Sequence, residues 1–98
     1  MTRRVSFHSS AELELNEAAA YYRAESPFLA QAFLDDIDHA LDFVRKYPES
    51  APLLKQSVHR KLLRRFPYNI LYSLAPGEIR ILAIANQKRR PFYWRGRV

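Results

Sequence analysis

Residues 68–86, YNILYSLAPGEIRILAIAN, determine the predicted fold. The first part, Tyr68–Leu74, is rich in aromatic and β-branched residues, which favour a strand. The next four residues, Ala75–Glu78, place a proline and a glycine where a type II turn favours them. The last part, Ile79–Asn86, is a nearly continuous apolar run, which is typical of a strand buried on both faces. The stretch therefore predicts two antiparallel strands joined by a tight turn.

A basic segment precedes this hairpin and is predicted to form a further strand. Val58–Arg65 alternates only partly, because Leu62 and Leu63 are adjacent, and Pro67 separates it from the hairpin. Before it, Pro48–Gln56 contains two prolines and is predicted to be a loop. Because the connections between the last three strands are too short for crossovers, these strands should form an antiparallel meander.

Two helices are predicted before the meander, and a short strand at Arg4–His8 precedes them. The first helix is predicted to begin with Ser9 as N-cap and Glu12 completing a capping box. It should end near Ala24 or Glu25. One face of this helix carries apolar residues at helical spacing, namely Ala11, Leu15, Ala18 and Tyr22.

The second helix is predicted to begin with Ser26 as N-cap and Pro27 in the first helical position, and it must end before Pro48. Its apolar stripe consists of Phe33, Ile37, Ala40, Leu41 and Val44. A linker of about two residues forces the two helices into a hairpin. The predicted fold of residues 1–98 is one α+β domain of order β-α-α-β-β-β. The helical hairpin packs on one face of a mostly antiparallel four-stranded sheet.

The composition excludes several classes of protein. A chain of 98 residues has room for one core, and the absence of cysteine excludes a disulfide scaffold and thiolate metal sites. No apolar run follows the two N-terminal arginines, as a signal peptide would require. The longest apolar stretch, Ile81–Ala85, is far too short to span a membrane. The sequence predicts a cytoplasmic protein with no membrane partner.

No metal or cofactor site is expected. The three histidines, His8, His39 and His59, fall in different predicted elements and lack the spacing of metal ligands. Two glycines cannot supply a glycine-rich phosphate loop. The acidic residues of the two helices are interpreted as solvated faces rather than as paired catalytic acids.

The charges divide unevenly along the chain. Residues 1–50 contain five basic and nine acidic residues, whereas residues 51–98 contain eleven basic and one acidic residue. Such asymmetry points to a basic surface with an anionic partner, either nucleic acid or an acidic protein. A solvated basic face without a partner is the simpler alternative.

The basic residues form two groups that are predicted to share one surface, since the second and last strands both flank the third. One group, on the second strand, comprises His59, Arg60, Lys61, Arg64 and Arg65. The other, in the tail, comprises Lys88, Arg89, Arg90, Arg95 and Arg97, interleaved with Phe92, Tyr93 and Trp94. Arginine with aromatics suits phosphate contacts with base stacking, and it suits an acidic protein groove equally well. At least one of Phe92 and Trp94 is expected to cover the core instead.

Two stretches resemble the RelE/ParE toxin superfamily: LRRFPYNILY at residues 63–72 and ILAIANQKRRPFYW at residues 81–94. The tyrosine pair at 21–22 and the Tyr-Pro at 47–48 are also similar to the family. This resemblance covers essentially the whole chain. It implies the toxin half of a type II toxin–antitoxin pair, neutralised by a cognate antitoxin protein that itself carries the DNA-binding part.

The resemblance leaves two activities open. RelE-like members cut mRNA on the ribosome, whereas ParE-like members poison DNA gyrase. The nuclease interpretation would assign catalysis to Lys61, Arg64, Arg89 and Tyr93, with His59 as a further candidate because histidine titrates near neutral pH. The residues predicted to bind target or antitoxin are Arg60, Arg65, Arg80, Lys88, Arg90, Phe92 and Trp94.

Departures from the RelE-like pattern favour the ParE-like alternative, which is not an enzyme. Many relatives carry a histidine where this chain has Asn86, and no histidine follows His59. The arginine that RelE-like enzymes place after the last strand falls near Gln87 or Lys88. A third interpretation is a non-toxic module that retains the fold and binds a partner.

Overall fold

The computed structural model describes residues 3–55 and 57–98. The elements in chain order are β1 (Arg4–Phe7), α1 (Ser9–Glu25), α2 (Pro27–Lys46), β2 (Leu53–Lys55), β3 (Val58–Leu62), β4 (Tyr68–Ala75), β5 (Glu78–Asn86) and a 3₁₀ turn (Arg95–Arg97). The strands form one sheet of order β1-β5-β4-β3-β2, in which β1 runs parallel to β5 and the other neighbours are antiparallel. The predicted α+β class and antiparallel meander are confirmed.

The sheet has five strands rather than the predicted four. The additional strand β2 lies in the segment that was predicted to be a loop. Leu53 pairs with His59, and the Arg60 amide donates to the Pro52 carbonyl at 2.9 Å. Three residues with a register irregularity are too short to produce an alternating pattern that a sequence can reveal. Gln56, the last residue of the predicted loop, lies outside the described residues.

The third strand is shorter than predicted. It ends at Leu62, so Arg64 and Arg65 lie in the bend that follows rather than on a strand. Asp36 of α2 accepts hydrogen bonds from the amides of Arg65, at 2.8 Å, and Phe66, at 3.2 Å. These bonds satisfy amides that would otherwise continue a ladder, and they turn the chain toward the helices.

Helix α1 begins one residue earlier than predicted. His8, not Ser9, is the N-cap, and its Nδ1 accepts from the Ser10 amide at 3.1 Å. The His8 amide still donates to the Ile81 carbonyl at 2.8 Å, so its extended backbone continues β1 and suits the cap position. The predicted capping box with Glu12 is therefore wrong. In α2 the prediction is confirmed, because the Ser26 Oγ accepts from the Phe28 amide at 3.1 Å and Pro27 opens the helix.

The two helices pack on one face of the sheet and enclose the larger core. All five residues of the predicted α2 stripe are buried there, with Phe33 and Val44 completely inaccessible. Around Phe33 lie the rings of Tyr22, Phe66 and Tyr68, with centroids 5.3–5.5 Å from its own. Burying a large apolar side chain stabilises a fold by roughly 1.5–3 kcal/mol. This aromatic cluster therefore fixes the helical hairpin on the sheet.

Strand β5 contributes to both faces, as its apolar run predicts. Leu71 pairs with Ala83 and Tyr72 with Ile81, which leaves Leu82 as an extra residue in a β-bulge. Ile81 and Ile84 face the helical core, whereas Leu82 and Ala83 belong to a second, smaller cluster on the opposite face. The predicted turn is also confirmed, since Gly77 has a φ of 68°, as the third position of a type II turn requires.

Neither of the two helices has the length and apolar character needed to cross a membrane, as far as the described residues are concerned.

Candidate functional site

The C-terminal tail, residues 87–98, folds over the sheet face that the helices leave open. Trp94 is only 4% exposed and packs in the second cluster with Leu71, Leu82 and Ala85. Phe92 is half-buried beside it, with ring centroids 5.9 Å apart. The expectation that at least one of these aromatics covers the core is confirmed for Trp94. Phe92 has a φ of 60°, a strained conformation for an aromatic residue, which bends the tail sharply back onto the sheet.

A single carboxylate anchors this tail. Glu14 of α1 accepts from the Tyr93 hydroxyl at 2.8 Å, from both terminal nitrogens of Arg97 at 2.9 and 3.0 Å, and from the Ile84 amide at 3.1 Å. Arg97 also donates to the Leu82 carbonyl at 3.1 Å. The pairing of β1 with β5 ends at Ile81, so the amide of Ile84 has no strand partner on that side. Glu14 thus joins α1, the edge of β5 and the tail.

The anchor changes the acid–base properties of the groups that it holds. Burial, and then the hydrogen bond to Glu14, raise the pKa of Tyr93 far above its ordinary value. The hydrogen bond to Glu14 also raises the pKa of Arg97. Tyr93 therefore stays neutral and Arg97 stays charged at any physiological pH.

The interpretation of the helix acids as solvated faces is wrong for two of them. Glu14 is half-buried in the anchor, and Asp36 is 5% exposed beneath the bend after β3. A sequence signal for both exists in hindsight. Glu14 lies three residues after Ala11 and four before Ala18, and Asp36 lies three residues after Phe33. Both acids therefore fall on apolar stripes.

Between the tail and the sheet lies a cleft of about 170 Å³. Its floor consists of the buried side chains of Leu71, Ala85 and Trp94. Its rim carries polar and charged side chains, namely Arg60, Asn69, Asn86, Gln87, Arg89 and Arg90, with Phe92 and Tyr93 along the tail. No aspartate or glutamate lines it among the described residues. We call this feature the cationic cleft.

Aromatic rings hold two of the cations at the cleft. The guanidinium of Arg89 lies 4.0 Å from the centroid of the Tyr93 ring. The ammonium of Lys55, on β2, lies 4.9 Å from the centroid of the Phe92 ring. Such contacts fix the position of a cation without neutralising its charge. The sequence did not indicate Lys55, because its strand was predicted to be a loop.

The predicted site residues separate into several places. The cleft brings together Arg60, Arg89, Arg90, Phe92, Tyr93 and Trp94, so the expectation that the two basic groups share a surface holds for these residues. Lys61 and Arg64 instead line a groove beside α2, with His39, Phe43 and Leu62. Arg65 lies in the bend after β3. Arg80 lies near the opposite end of β5, where it pairs with Ser6 and Ser73, and Lys88 is exposed in the turn after β5.

Three of these positions follow from simple strand geometry. Neighbouring side chains on β3 point to opposite faces. Arg60 therefore reaches the cleft, while the Lys61 ammonium lies 4.1 Å from the Phe43 ring on the helix side. His59 also points to the helix side, where it is 8% exposed, stacks on Tyr72 at 5.0 Å and contacts the Ala51 carbonyl through Nδ1 at 2.8 Å.

Comparison with known families decides what kind of protein carries this cleft. Residues 5–91 match the family model described as the ParE toxin of the type II toxin–antitoxin system, parDE. The chain belongs to the ParE toxin family. The resemblance to RelE/ParE toxins is thereby confirmed, and this family member is the toxin component of a type II toxin–antitoxin module.

The fold of this ParE-family toxin is similar to that of a solved structure, the chromosomal ParDE TA system from P. aeruginosa. The TM-score is 0.75 with 19% sequence identity, and the match covers 87% of this chain and 96% of the other. At that identity the similarity concerns the fold. A comparison with curated protein sequences gives no significant match.

Proposed function

We propose that this toxin acts on DNA gyrase without enzymatic chemistry of its own and that a cognate antitoxin neutralises it in the cytoplasm. Membership in the ParE family supports this target. The observation that carries the choice between the two activities is the separation of the nuclease candidates. Lys61 and Arg64 line the groove beside α2, whereas Arg89 and Tyr93 line the cationic cleft on the other side of the sheet.

Such a separation argues against RNA cleavage. Attack by a 2′-hydroxyl needs a general base, a general acid and stabilising charge around a single phosphate. Four residues divided between two surfaces cannot converge on one phosphate unless the sheet between them is rearranged. A packed sheet does not permit such rearrangement cheaply.

The proton-transfer groups support the same choice. The Tyr93 hydroxyl donates a hydrogen bond to Glu14, and burial raises the pKa of Tyr93, so this hydroxyl does not ionise near neutral pH. His59 is buried on the helix side and bonded to Ala51. No histidine or carboxylate lines the cationic cleft within the described part of the chain. The cleft therefore offers charge and hydrogen bonds but no evident general base.

The helix side of the molecule provides the surface that suits an antitoxin. Several large apolar side chains are exposed around the outer side of α2 and the end of β3, including Leu62 at 49% and Tyr47 at 55%. Cations lie among them, notably Lys61 and Arg64. An acidic segment that folds on binding needs such apolar contacts to offset its ordering entropy.

A pair of assays tests the proposed function. Purified toxin should inhibit supercoiling of a relaxed plasmid by gyrase, and added antitoxin should restore it. In parallel, primer extension on mRNA from toxin-expressing cells should show no codon-phased cuts. Cuts without gyrase inhibition would establish the RelE-like nuclease instead, and a chain inactive in both assays would be a non-toxic binding module. Whole-tail deletion is a poor variant here, because the tail covers part of the core.

A further inference from the structure

We propose that the cationic cleft binds single-stranded nucleic acid, with phosphates on its cations and one base against its apolar floor. This inference does not rest on gyrase being the target. The resemblance to RelE/ParE toxins implies that DNA contacts this module only through the antitoxin. The cleft would add a direct contact made by the toxin itself.

The first support is uncompensated charge. Lys55, Arg60, Arg89 and Arg90 are all exposed around one cleft. Within the described residues, the ion pairs of this chain are Arg45 with Asp42 and Arg97 with Glu14, so none of the four cleft cations forms an ion pair with a carboxylate. Arg89 lies nearest to acidic residues, since it also lines a neighbouring pocket with Glu14 and Glu17. Like charges brought together repel one another. Four such cations therefore favour an anionic ligand that bridges them, and a phosphodiester chain offers evenly spaced anions.

The second support is the shape and chemistry of the interior. The floor of Leu71, Ala85 and Trp94 is apolar and formed by buried side chains. Above it, the side-chain amides of Asn69 and Gln87 lie 3.4 Å apart, with donors and acceptors suited to the edge of a base. A helix about 10 Å across with its side chains would not enter a cavity of about 170 Å³, whereas a planar ring is of the right scale.

The third support discriminates against an acidic protein partner. Protein interfaces derive much of their affinity from exposed apolar anchors that become buried. The cleft offers only a small apolar area, since Trp94 and Leu71 are already buried and Phe92 and Leu54 are partly so, which suits the face of one base but not a large protein anchor. The exposed large apolar residues, such as Phe28 and Leu62, are not in the cleft lining. Binding in the cleft should therefore be mainly electrostatic, as nucleic-acid binding is.

Fluorescence anisotropy of the full-length toxin, freed of antitoxin, tests the proposal with a labelled oligo(dT) of about 12 nucleotides. Four phosphate contacts predict that log K falls with log salt concentration with a slope of about −3, since each contact to a single strand contributes about −0.7. An oligo(rU) arm should behave similarly, whereas dTMP, which can engage only part of the cluster, should bind far more weakly.

The matched variants are Arg60→Gln with Arg90→Gln, and Arg4→Gln with Arg23→Gln. All four arginines are exposed, and each pair removes the same charge. The cleft pair should lower the slope by about 1.4 in magnitude and weaken binding at least tenfold at low salt. The control pair, which does not line the cleft, should retain the wild-type slope. Far-ultraviolet circular dichroism of both pairs should match that of the wild type.

Four results would overturn the proposal. These are no binding of oligo(dT) by the wild type, equal losses in the two variant pairs, binding of a duplex as tight as that of the single strand, or displacement of the oligonucleotide by an equal concentration of an acidic glutamate-rich peptide. The last result would assign the cleft to an acidic protein. None of these binding measurements uses gyrase. A toxin that fails to inhibit gyrase could therefore still bind the oligonucleotide, and a toxin that fails to bind the oligonucleotide could still inhibit gyrase.

Discussion

The two faces of the sheet are covered in different ways. On the helix side, fifteen buried residues form one cluster, supplied by both helices and by β4 and β5. On the opposite side, six buried residues form the second cluster, and the cover is the short C-terminal tail. The helices bring continuous apolar stripes, whereas the tail brings Trp94 and the charged anchor to Glu14. The helices therefore cover one face of the sheet completely by apolar packing. The tail is held on the other face by Trp94 and an ion pair, and it covers that face only partly, which leaves a cleft with a charged rim.

This difference shows which face of a small sheet can carry unpaired charged side chains for binding. A helix that covers a sheet must bury its apolar stripe, which leaves little room for unpaired charge. A short irregular tail buries less and leaves a cleft in which arginines stay solvated. Four cations of this toxin, Lys55, Arg60, Arg89 and Arg90, lie together where the cover is thin. Variants on each face can show how far the two faces depend on different interactions.

The largest expected effect comes from the helix-side core. Phe33→Ala removes a completely buried ring from the aromatic cluster and should lower the free energy of unfolding by about 4 kcal/mol. Urea denaturation followed by circular dichroism measures this loss. Phe28→Ala, at a position 87% exposed on the same helix, is the control and should change stability by less than about 0.5 kcal/mol. Similar losses in both variants would mean that the helical hairpin is not held by this cluster.

The tail anchor should give the next largest effect. Glu14→Ala leaves the Tyr93 hydroxyl and the Ile84 amide without their acceptor. Arg97 loses its charged partner and keeps only the Leu82 carbonyl, and breaking such a pair should cost about 3 kcal/mol. Trp94 is the only tryptophan, so its fluorescence reports on the tail face. We expect a red-shifted emission below the urea concentration at which the helices unfold.

Glu17→Ala is the matched control, because Glu17 is exposed one helical turn later on α1. Its tryptophan emission and unfolding midpoint should match those of the wild type. If Glu14→Ala left the emission of Trp94 unchanged in native buffer and in low urea, the tail would be held by apolar contacts alone. The two faces would then be covered by the same kind of apolar contact and would differ only in the area that is buried.

The helix side of the fold could be predicted almost completely from the sequence. The spacing of apolar residues predicts α2, and the apolar run predicts β5. Each pattern extends over many residues, so the prediction does not depend on any one of them. Two local features differ from the prediction, the N-cap of α1 and the strand β2, and each depends on a neighbouring strand. His8 caps α1 in place of Ser9 because β1 holds the His8 backbone extended. The short strand β2 forms because β3 is available to pair with it.

The candidate site could be predicted only in part. The sequence identified Arg60, Arg89 and Arg90 as basic, and strand alternation on β3 would have separated Arg60 from Lys61. The path of the tail could not be predicted, since it depends on the distant contact of Arg97 with Glu14, 83 residues apart in the chain. The roles of Glu14 and Asp36 are not evident from the sequence because charged residues are ordinarily exposed, although both residues lie on apolar stripes.

The smallest expected effect concerns the ionisation of a tyrosine on the helix side. Tyr72 is fully buried and donates to the Pro48 carbonyl at 2.6 Å. Burial raises its pKa from 10.0 to about 12. Because the folded value lies above the unfolded one, the stabilisation is complete below pH 10 and is lost as the pH rises through about 12. Over this window the unfolded chain releases the proton first.

The loss attributable to Tyr72 should approach about 1.4 kcal/mol per pH unit within this window. Urea denaturation at pH 9 and pH 11 measures it, with Tyr72→Phe as the comparison, since phenylalanine keeps the ring but cannot ionise. The variant should be less stable than the wild type at pH 9, because the Pro48 carbonyl loses its donor. It should lose less stability than the wild type between the two pH values. Tyr22 and Tyr93, whose pKa values are also raised, remain in both proteins, so an identical pH dependence would assign alkaline unfolding to other groups such as these rather than to Tyr72.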